Sequence, residues 1–296
     1  MTADASISVC IVCRNEADKL EACLESVAWA DEILIMDLRS SDGSAEVAER
    51  HGATVVSRDP FPIVEPLRNE LAARARGAWV LALDPDERVS PGLAEELRRI
   101  SAREDVDLVE IPFTHWDFGY PPSHPLHRYD PKPRFYRRER VSWPAEPNTL
   151  PKVAPERLHR LASRDELVIV HDRNRSVPEA LDRAMRYAPA EARARIDAGE
   201  TFTARGMIRR LAQKTHRQFV EARALDDGVP GLVRATVLVA FDFYVWASFW
   251  QMSGAQRTAE DDRYVRRIGS VLRLGWSATR AARGPIRAAR RLARTR

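Results

Sequence analysis

Short apolar runs alternate with segments of helical periodicity along the first third of the chain. Residues 7–13 form a continuous apolar run of strand length, and apolar residues then recur at helical spacing over 16–27. The alternation continues, and it predicts further strands at 33–36, 53–56, 78–83 and 108–113, with helices at 44–50, at 64–76 and after Ser90-Pro91, a helix start signal. Strands alternating with helices favour an α/β fold with a mostly parallel sheet and helices on both faces.

The pattern changes twice further along the chain. Residues 116–155 are rich in Pro, His and aromatic residues, which predicts an irregular region over the active edge of the sheet. From about residue 176 to 259 the periodicity is helical, and the remainder is rich in arginine. The predicted organisation is a sheet-forming half at 1–115, an irregular region with closing strands at 116–175, a helical region at 176–259 and a basic tail at 260–296.

Charge is unevenly distributed along the 296 residues. The net charge is +4, yet Tyr264 to Arg296 contains ten arginines and no acid, so the remaining residues carry −6. A basic tail of this kind indicates contact with an anionic surface. The three cysteines show no disulfide framework, and Cys10-x-x-Cys13 lies within an apolar strand pattern, so buried thiols in a reducing cytoplasm are expected. The first residues lack the pattern of a secretory signal.

Polar side chains follow the predicted strands at the points where the strands end. Ligands of parallel sheets bind at this edge, and acidic residues collect there. Asp84 and Asp86 flank Pro85, which favours an extended segment with both carboxylates on one side. Such a pair suits Mg²⁺ or Mn²⁺ together with substrate phosphates. The alternative is a solvated acidic turn before a capped helix.

An ordered set of these strand-end motifs resembles family 2 glycosyltransferases. The motifs cover roughly residues 6–100 and read Ser8-Val9-Cys10-Ile11-Val12-Cys13-Arg14-Asn15-Glu16, Asp37-Leu38-Arg39-Ser40-Ser41-Asp42-Gly43, Arg68-Asn69 and Leu83-Asp84-Pro85-Asp86-Glu87. They most resemble the branch that includes lipopolysaccharide-core and related cell-envelope sugar transferases. The resemblance implies a GT-A fold, in which 1–115 binds the nucleotide-sugar and 116–175 faces the acceptor. It also implies an inverting transfer from a nucleotide-sugar to a glycan or lipid-linked acceptor.

The resemblance also implies roles for individual residues. Arg14, Asn15 and Glu16 would line the nucleotide pocket, and Asp37 would contact the base. Arg68 would lie near the diphosphate or sugar. Asp84 would contact ribose or sugar, and Asp86 would hold the metal.

Two positions depart from the family pattern. Leu38 and Arg39 replace small residues after the second strand, and Arg39 could reach a phosphate or signal an altered donor. A His-Glu pair common in this branch is absent, which leaves Glu146 as the candidate general base by approximate place. Its alternative is a solvated loop acid. A transferase-like scaffold without catalysis therefore remains the second functional hypothesis. A haloacid-dehalogenase-type phosphatase is disfavoured, because Arg88 stands where that family has Thr or Val.

Histidines and the apolar C-terminal stretch leave further alternatives. The spacing of His115, His124 and His127 matches no zinc pattern. His171 either faces the acceptor or is a structural residue at a strand end. Residues 229–250 could span a bilayer, but Arg234 and Asp242 favour a packed or interfacial helix instead.

The tail indicates peripheral binding to the anionic inner face of the plasma membrane from the cytoplasm, or else a solvated terminus. Nucleic acid is disfavoured as a partner, since no binding motif accompanies the charge.

Overall fold

The computed structural model describes residues 5–61, 64–144 and 149–273. The chain divides into two compact units, one of Met1–Ser176 with Asp226–Pro230 and one of Val177–Leu225 with Gly231–Arg296. The first unit contains the β-sheets, and the second is helical. The mostly parallel α/β architecture with a helical C-terminal region is confirmed.

The main sheet of the first unit has seven strands in the order β3-β2-β1-β4-β8-β6-β9. The strands of this sheet are β1 (Ile7–Cys13), β2 (Glu32–Asp37), β3 (Thr54–Ser57), β4 (Trp79–Leu83), β6 (Leu108–Ile111), β8 (Lys132–Arg137) and β9 (Leu158–Arg160). β3, β2, β1 and β4 run parallel, whereas β8 is antiparallel to both of its neighbours. A second sheet has the order β5-β10-β7, formed by β5 (Glu87–Val89), β7 (Phe113–Asp117) and β10 (Ile169–Asn174).

Helices of the first unit pack on both faces of the main sheet. They are α1 (Ala17–Ser26), α2 (Ser44–Arg50), α3 (Val64–Ala72) and α4 (Pro91–Ser101), while the short α5 (Pro125–Arg128) contacts β7 of the second sheet. α1, α2 and α4 contribute buried residues to one core cluster, and α3 contributes to the other. Cys10 and Cys13 fall in different clusters, because strand residues three apart point to opposite faces. Burial raises the pKa of Cys10 to about 12 and that of Cys13 to about 11, so both thiols are protonated at neutral pH.

Two sequence expectations need correction. The stretch 116–155 is not wholly irregular, because it contains β8, an interior strand of the main sheet between β4 and β6. Pro133 and the charged residues concealed this strand, whose Phe135 and Tyr136 are buried. Ser90 precedes α4 as predicted, but its side chain makes no cap hydrogen bond. Instead, the Ser90 hydroxyl donates to the Glu166 carbonyl at 2.7 Å and accepts from the Val168 N–H at 3.2 Å.

The second unit consists of long helices. They are α6 (Val177–Asp197), α7 (Ala204–His216), α8 (Gly228–Met252) and a further helix, α9, over 259–273. Ala224–Met252 is long and apolar enough to cross a bilayer, a property it shares with core helices of soluble proteins. Asp242 of α8 is buried and pairs with Arg210 at 3.0 Å and Lys214 at 3.8 Å, both on α7. An acid within an apolar helix is thus neutralised by a neighbouring helix of the same unit.

Candidate active site

The carboxyl ends of three adjacent parallel strands carry the motifs that the sequence singled out. β1 lies between β2 and β4, and in-register pairing aligns Cys13 with Asp37 and Ile11 with Leu83. The segments 14–16, 37–44 and 84–87 therefore leave the sheet at one edge. This is the edge at which parallel α/β sheets bind ligands.

The first two of these segments are bound to each other. Asn15 adopts a left-handed backbone (φ 55°), its N–H donates to the Ser40 hydroxyl at 2.9 Å, and its side-chain oxygen accepts from the Ser41 N–H at 2.8 Å. The Asp42 carboxylate accepts from the Ala17 N–H at 3.0 Å at the start of α1, and it also binds Ser44. Asp42 thus stabilises a helix terminus from another loop, and the two loops form one surface.

The predicted nucleotide-pocket residues lie on this surface with different degrees of exposure. Arg14 and Asn15 are exposed, while Asp37 is buried and accepts from the Ser40 N–H at 3.1 Å. Burial raises the pKa of Glu16, and repulsion from Asp86 adds to this, although Lys19 opposes it. Arg39 points to solvent in an ion pair with Asp59, so contact with a phosphate would require that pair to open.

Asp84 is held by two arginines. The Arg68 guanidinium donates to one carboxylate oxygen at 2.6 Å, and Arg134 donates to the other at 3.1 Å. Both arginines are buried, and Arg68 also lies over the ring of Trp143 at 4.4 Å. The two cations hold the pKa of Asp84 well below its usual range, against the effect of burial. Asp84 is therefore ionised, and any ligand of its oxygens must share them with Arg68 and Arg134.

The expected extended segment at 84–86 is a turn. The Glu87 N–H donates to the Asp84 carbonyl at 3.0 Å, and Pro85 and Asp86 occupy the turn. Asp84 and Asp86 consequently meet different partners, arginines in one case and His171 in the other. The turn arises because β5 starts at Glu87 and pairs with β10 of the other sheet, a long-range contact that local propensity does not contain.

Glu87 belongs to the site as the last carboxylate of the predicted acidic motif, although no separate role was predicted for it. It is fully buried, accepts from the Asp84 N–H at 2.9 Å and receives an ion pair from Arg134 at 3.2 Å. Burial raises the pKa of Glu87, and the Asp84 charge adds to this, while Arg134 opposes it. Arg134 comes from β8, the strand that the sequence analysis missed. The only sequence signal for Glu87 was its place at the end of an acidic run.

Asp86 begins a chain of side-chain contacts through two histidines. His171 Nε2 lies 3.2 Å from Asp86 Oδ2, and the two Nδ1 atoms of His171 and His115 are 2.9 Å apart. His115 Nε2 lies 3.2 Å from Asp130 Oδ2. Burial lowers the pKa of His115 to about 4, and the hydrogen bond with His115 lowers that of Asp130 to about 2. His171 thus lies at the active edge, beside Asp86.

The residues around Asp86 fit a divalent cation in part. Asp86 and His171 present one carboxylate and one imidazole nitrogen to the same point, and Mg²⁺ or Mn²⁺ needs only one or two protein ligands beside substrate phosphates. Within the described ranges, no group of three or more His, Cys, Asp and Glu side chains could enclose a metal alone. Asp86 is the better placed of the two predicted metal ligands, because Asp84 is bound to arginines.

The candidate base Glu146 lies outside the described residues. The chain just before it is held in place: the Asn69 amide donates to the Trp143 carbonyl at 2.8 Å, and the Trp143 N–H donates back to Asn69 at 2.8 Å. The role of Glu146 stays a prediction, as do those of Arg14, Asn15, Glu16, Asp37, Arg39, Arg68, Asp84 and Asp86.

Comparison with known proteins adds a family match over the same region. The family described as glycosyl transferase family 2 matches residues 8–155. A TPR repeat-containing protein of Synechococcus elongatus is 36% identical over 32% of this chain and 24% of its own length. An uncharacterized glycosyltransferase of Rickettsia bellii is 32% identical over 34% of each chain. The chain therefore spans less than half the length of these curated relatives.

Solved structures similar to the chain include two named proteins. The glucosyl-3-phosphoglycerate synthase of Mycobacterium tuberculosis, in a complex with Mn²⁺, uridine diphosphate and glucosyl-3-phosphoglycerate, is 20% identical over 45% of this chain and 57% of that chain, with a TM-score of 0.33. Residues 1–349 of TarS from S. aureus are 14% identical over 83% of this chain and 91% of that chain, with a TM-score of 0.43.

Proposed function

The chain belongs to glycosyl transferase family 2, whose match covers residues 8–155, and on that premise we propose that it transfers a sugar, with inversion, from a nucleotide-sugar to a cell-envelope acceptor. The observation that carries the proposal is the meeting of segments 14–16, 37–44 and 84–87 at one sheet edge, with Asp86 facing His171. We further propose that the transfer depends on Mg²⁺ or Mn²⁺ and that the acceptor is lipid-linked.

The donor would lie across the joined loops. Asp37 and the segment from Arg14 to Glu16 would contact the base and ribose, because they follow β2 and β1 directly. Arg68 would lie beside the diphosphate or sugar, where Asp84 and the ring of Trp143 orient its guanidinium. Asp84, whose carboxylate is ionised by its arginines, would accept from a sugar or ribose hydroxyl.

Asp86 and His171 would hold the cation. When bound there, a divalent cation neutralises the charge that develops on the departing diphosphate. Asp86 lies in the turn that joins β4 of the main sheet to β5 of the second sheet, and His171 lies on β10, which pairs with β5. Glu146 would remove the proton of the acceptor hydroxyl, as an inverting transfer requires a base.

Membrane association would bring the enzyme to a lipid-linked acceptor. α9 exposes Val265, Val271 and Leu272 beside Arg266 and Arg267, and the sequence from Tyr264 to Arg296 contains ten arginines. Apolar and cationic residues on one helix favour binding at an anionic lipid surface. We therefore propose a cytoplasmic enzyme peripheral to the inner face of the plasma membrane. Deletion of residues 261–296 should weaken co-sedimentation with anionic vesicles, and unchanged co-sedimentation would refute this placement.

Calorimetric titration and turnover assays with UDP-, GDP-, ADP- and dTDP-sugars, with and without Mn²⁺, test the proposed reaction. The unaltered chain should bind one nucleotide class in a cation-dependent manner. Asp86→Asn should lower turnover by about 10³-fold, equivalent to about 4 kcal/mol of lost transition-state stabilisation. Asp105→Asn is the matched control, because Asp105 is an exposed acid that pairs with Arg103. Its turnover should equal that of the unaltered chain.

Two outcomes would contradict the proposal at different points. Unchanged turnover in Asp86→Asn would show that Asp86 does not act through a cation. A failure to bind any of the four nucleotide-sugar classes would favour the second hypothesis, a transferase-like scaffold at the membrane. The ion pair of Arg39 with Asp59, in a loop that departs from the family pattern, is the feature that favours this alternative.

A further inference from the structure

The side chain of His171 contacts a second histidine, His115, which in turn contacts the carboxylate of Asp130. Its Nδ1 lies 2.9 Å from His115 Nδ1, and His115 Nε2 lies 3.2 Å from Asp130 Oδ2. On its other side, His171 Nε2 lies 3.2 Å from Asp86. The four side chains thus form a continuous line that ends at the proposed cation site.

Backbone pairing fixes the relative positions of His115, His171 and Asp130. His115 on β7 and His171 on β10 are register partners in the second sheet, and their rings meet edge to face with centroids 5.0 Å apart. Asp130 is tied to β7 by two backbone hydrogen bonds with Phe113, at 2.9 and 3.2 Å, and Lys132 lies 3.4 Å from its carboxylate. The positions of His115 and Asp130 therefore depend on main-chain contacts.

The contacts among Asp130, His115 and His171 are compatible with two arrangements of the ring protons. An ionised carboxylate only accepts, so the proton between Asp130 and His115 belongs to His115 Nε2. If His115 is doubly protonated and donates from Nδ1 as well, His171 Nδ1 must accept and Nε2 of His171 carries its proton towards Asp86. If instead His171 donates from Nδ1, its Nε2 keeps a lone pair directed at Asp86. An imidazole ligates a metal only through a nitrogen without a proton, which requires the second arrangement.

We propose that His115 and Asp130 are positioning residues that orient His171 and set its tautomer, so that Nε2 is available to a divalent cation beside Asp86. The inference rests on the proposed metal-dependent function and extends it to residues that would not touch the cation. Metal-binding histidines commonly donate their other N–H to a carboxylate or carbonyl, and loss of such a partner weakens metal binding. Here the acceptor is a second imidazole, itself held by Asp130.

Nitrogen NMR of ¹⁵N-histidine-labelled protein at saturating Mg²⁺ tests the tautomers directly. The proposal requires His171 to be protonated at Nδ1 and His115 to be protonated at Nε2. Resonances are assigned with the His171→Gln and His115→Asn variants. A proton on Nε2 of His171 in the Mg²⁺-loaded protein would overturn the proposal.

Mn²⁺ binding, measured by the electron paramagnetic resonance of the free ion, tests the positioning role in variants. His115→Phe keeps a ring but removes both nitrogens, and its dissociation constant should rise about 10- to 100-fold. His115→Asn keeps an acceptor near Nδ1 and should restore most of the affinity. The matched control is His51→Phe, since His51 pairs with Glu21 and its side chain is 25% exposed against 16% for His115. Thermal unfolding verifies that each variant folds.

Asp130 offers a second, less disruptive substitution. Its side chain is 55% exposed, and that of Asp165, which pairs with Arg128, is 56% exposed. Asp130→Ala should weaken Mn²⁺ binding, whereas Asp165→Ala should not. Equal Mn²⁺ affinity of His115→Phe, Asp130→Ala and the unaltered chain would refute the positioning role.

The proposed function and the positioning role fail in distinguishable ways. If the variants show the expected order of Mn²⁺ affinities but the unaltered chain transfers no sugar, the positioning role stands and the proposed reaction is wrong. If the unaltered chain binds no Mn²⁺ but turns over a nucleotide-sugar without added cation, the positioning role is wrong and the transfer stands.

Discussion

The two units of the chain both bury charged side chains, but they surround them differently. In the first unit, Asp84 and Glu87 share Arg134 at the edge of the sheet, with the pKa of Asp84 lowered and that of Glu87 raised. In the helical unit, Asp242 pairs with Arg210 and Lys214, whose side chains are 46% and 21% exposed. Glu87 and Arg134 are thus enclosed together, whereas the two cations that pair with Asp242 remain in contact with water.

This difference indicates which buried charge belongs to a site. Removing charge from water is costly, so an enclosed pair such as Glu87 and Arg134 persists only where its partners satisfy it or where function needs it. Neighbouring carboxylates with pKa values shifted in opposite directions are typical of active sites. Asp242 has the simpler purpose of joining α7 to α8. Substitutions in the two units test this contrast.

Arg134→Met should be the most destabilising of these substitutions. It leaves Asp84 and Glu87 together without the buried cation they share, and such a loss costs about 3–5 kcal/mol. Arg210→Met in the helical unit is the matched variant and should cost about 1 kcal/mol or less, because its pair with Asp242 is partly exposed. Urea unfolding measures both values. Equal losses of the free energy of unfolding in Arg134→Met and Arg210→Met would contradict the contrast between the units.

Asp107→Asn tests an ion pair in the first unit that lies outside the strand-end motifs. Asp107 accepts two hydrogen bonds from Arg157, both at 2.8 Å, and one from Arg140, so the substitution should cost about 2 kcal/mol at neutral pH. Hydrogen bonding by Arg157 lowers the pKa of Asp107 below its ordinary value of 3.8. The ionised Asp107 therefore makes its full contribution to the free energy of unfolding above pH 3.8. This contribution is lost as the pH falls through the lowered pKa of Asp107.

Unfolding curves at neutral pH and below pH 3.8 measure this dependence on Asp107. The difference between the unaltered chain and Asp107→Asn should shrink as the pH falls, and nucleotide-sugar turnover at neutral pH should not change. A stability difference that stays constant with pH would show that Asp107 contributes through packing alone.

Asp242→Asn should have the smallest effect. Arg210 and Lys214 retain access to water, and the amide keeps a hydrogen-bond acceptor, so we expect a cost of about 1 kcal/mol and unchanged turnover. Chemical unfolding and the nucleotide-sugar assay provide the two readouts. A loss of turnover without a loss of stability would give the helical unit a direct part in the reaction and break the contrast.

Local pattern was sufficient for the parallel part of the fold. The apolar run predicted at 7–13 is β1, because parallel strands buried on both faces have continuous apolar sequences. The helix predicted at 44–50 is α2. β8 escaped detection because Pro133 and its charged residues resemble a loop, while burial of Phe135 against Trp79 stabilises the strand. That stacking joins residues far apart in the chain.

The candidate site likewise has features that the local sequence predicts and features that depend on tertiary contacts. The sequence by itself determined the family and the segments that end the parallel strands, because each motif is contiguous and its place after a strand follows from periodicity. Only the tertiary structure decided that Asp84 meets Arg68 and Arg134, and that Asp86 meets His171. The physical reason is that these contacts join the turn after β4 to residues on α3, β8 and β10, which lie far away in the chain. Their distances depend on tertiary packing, which no local spacing specifies.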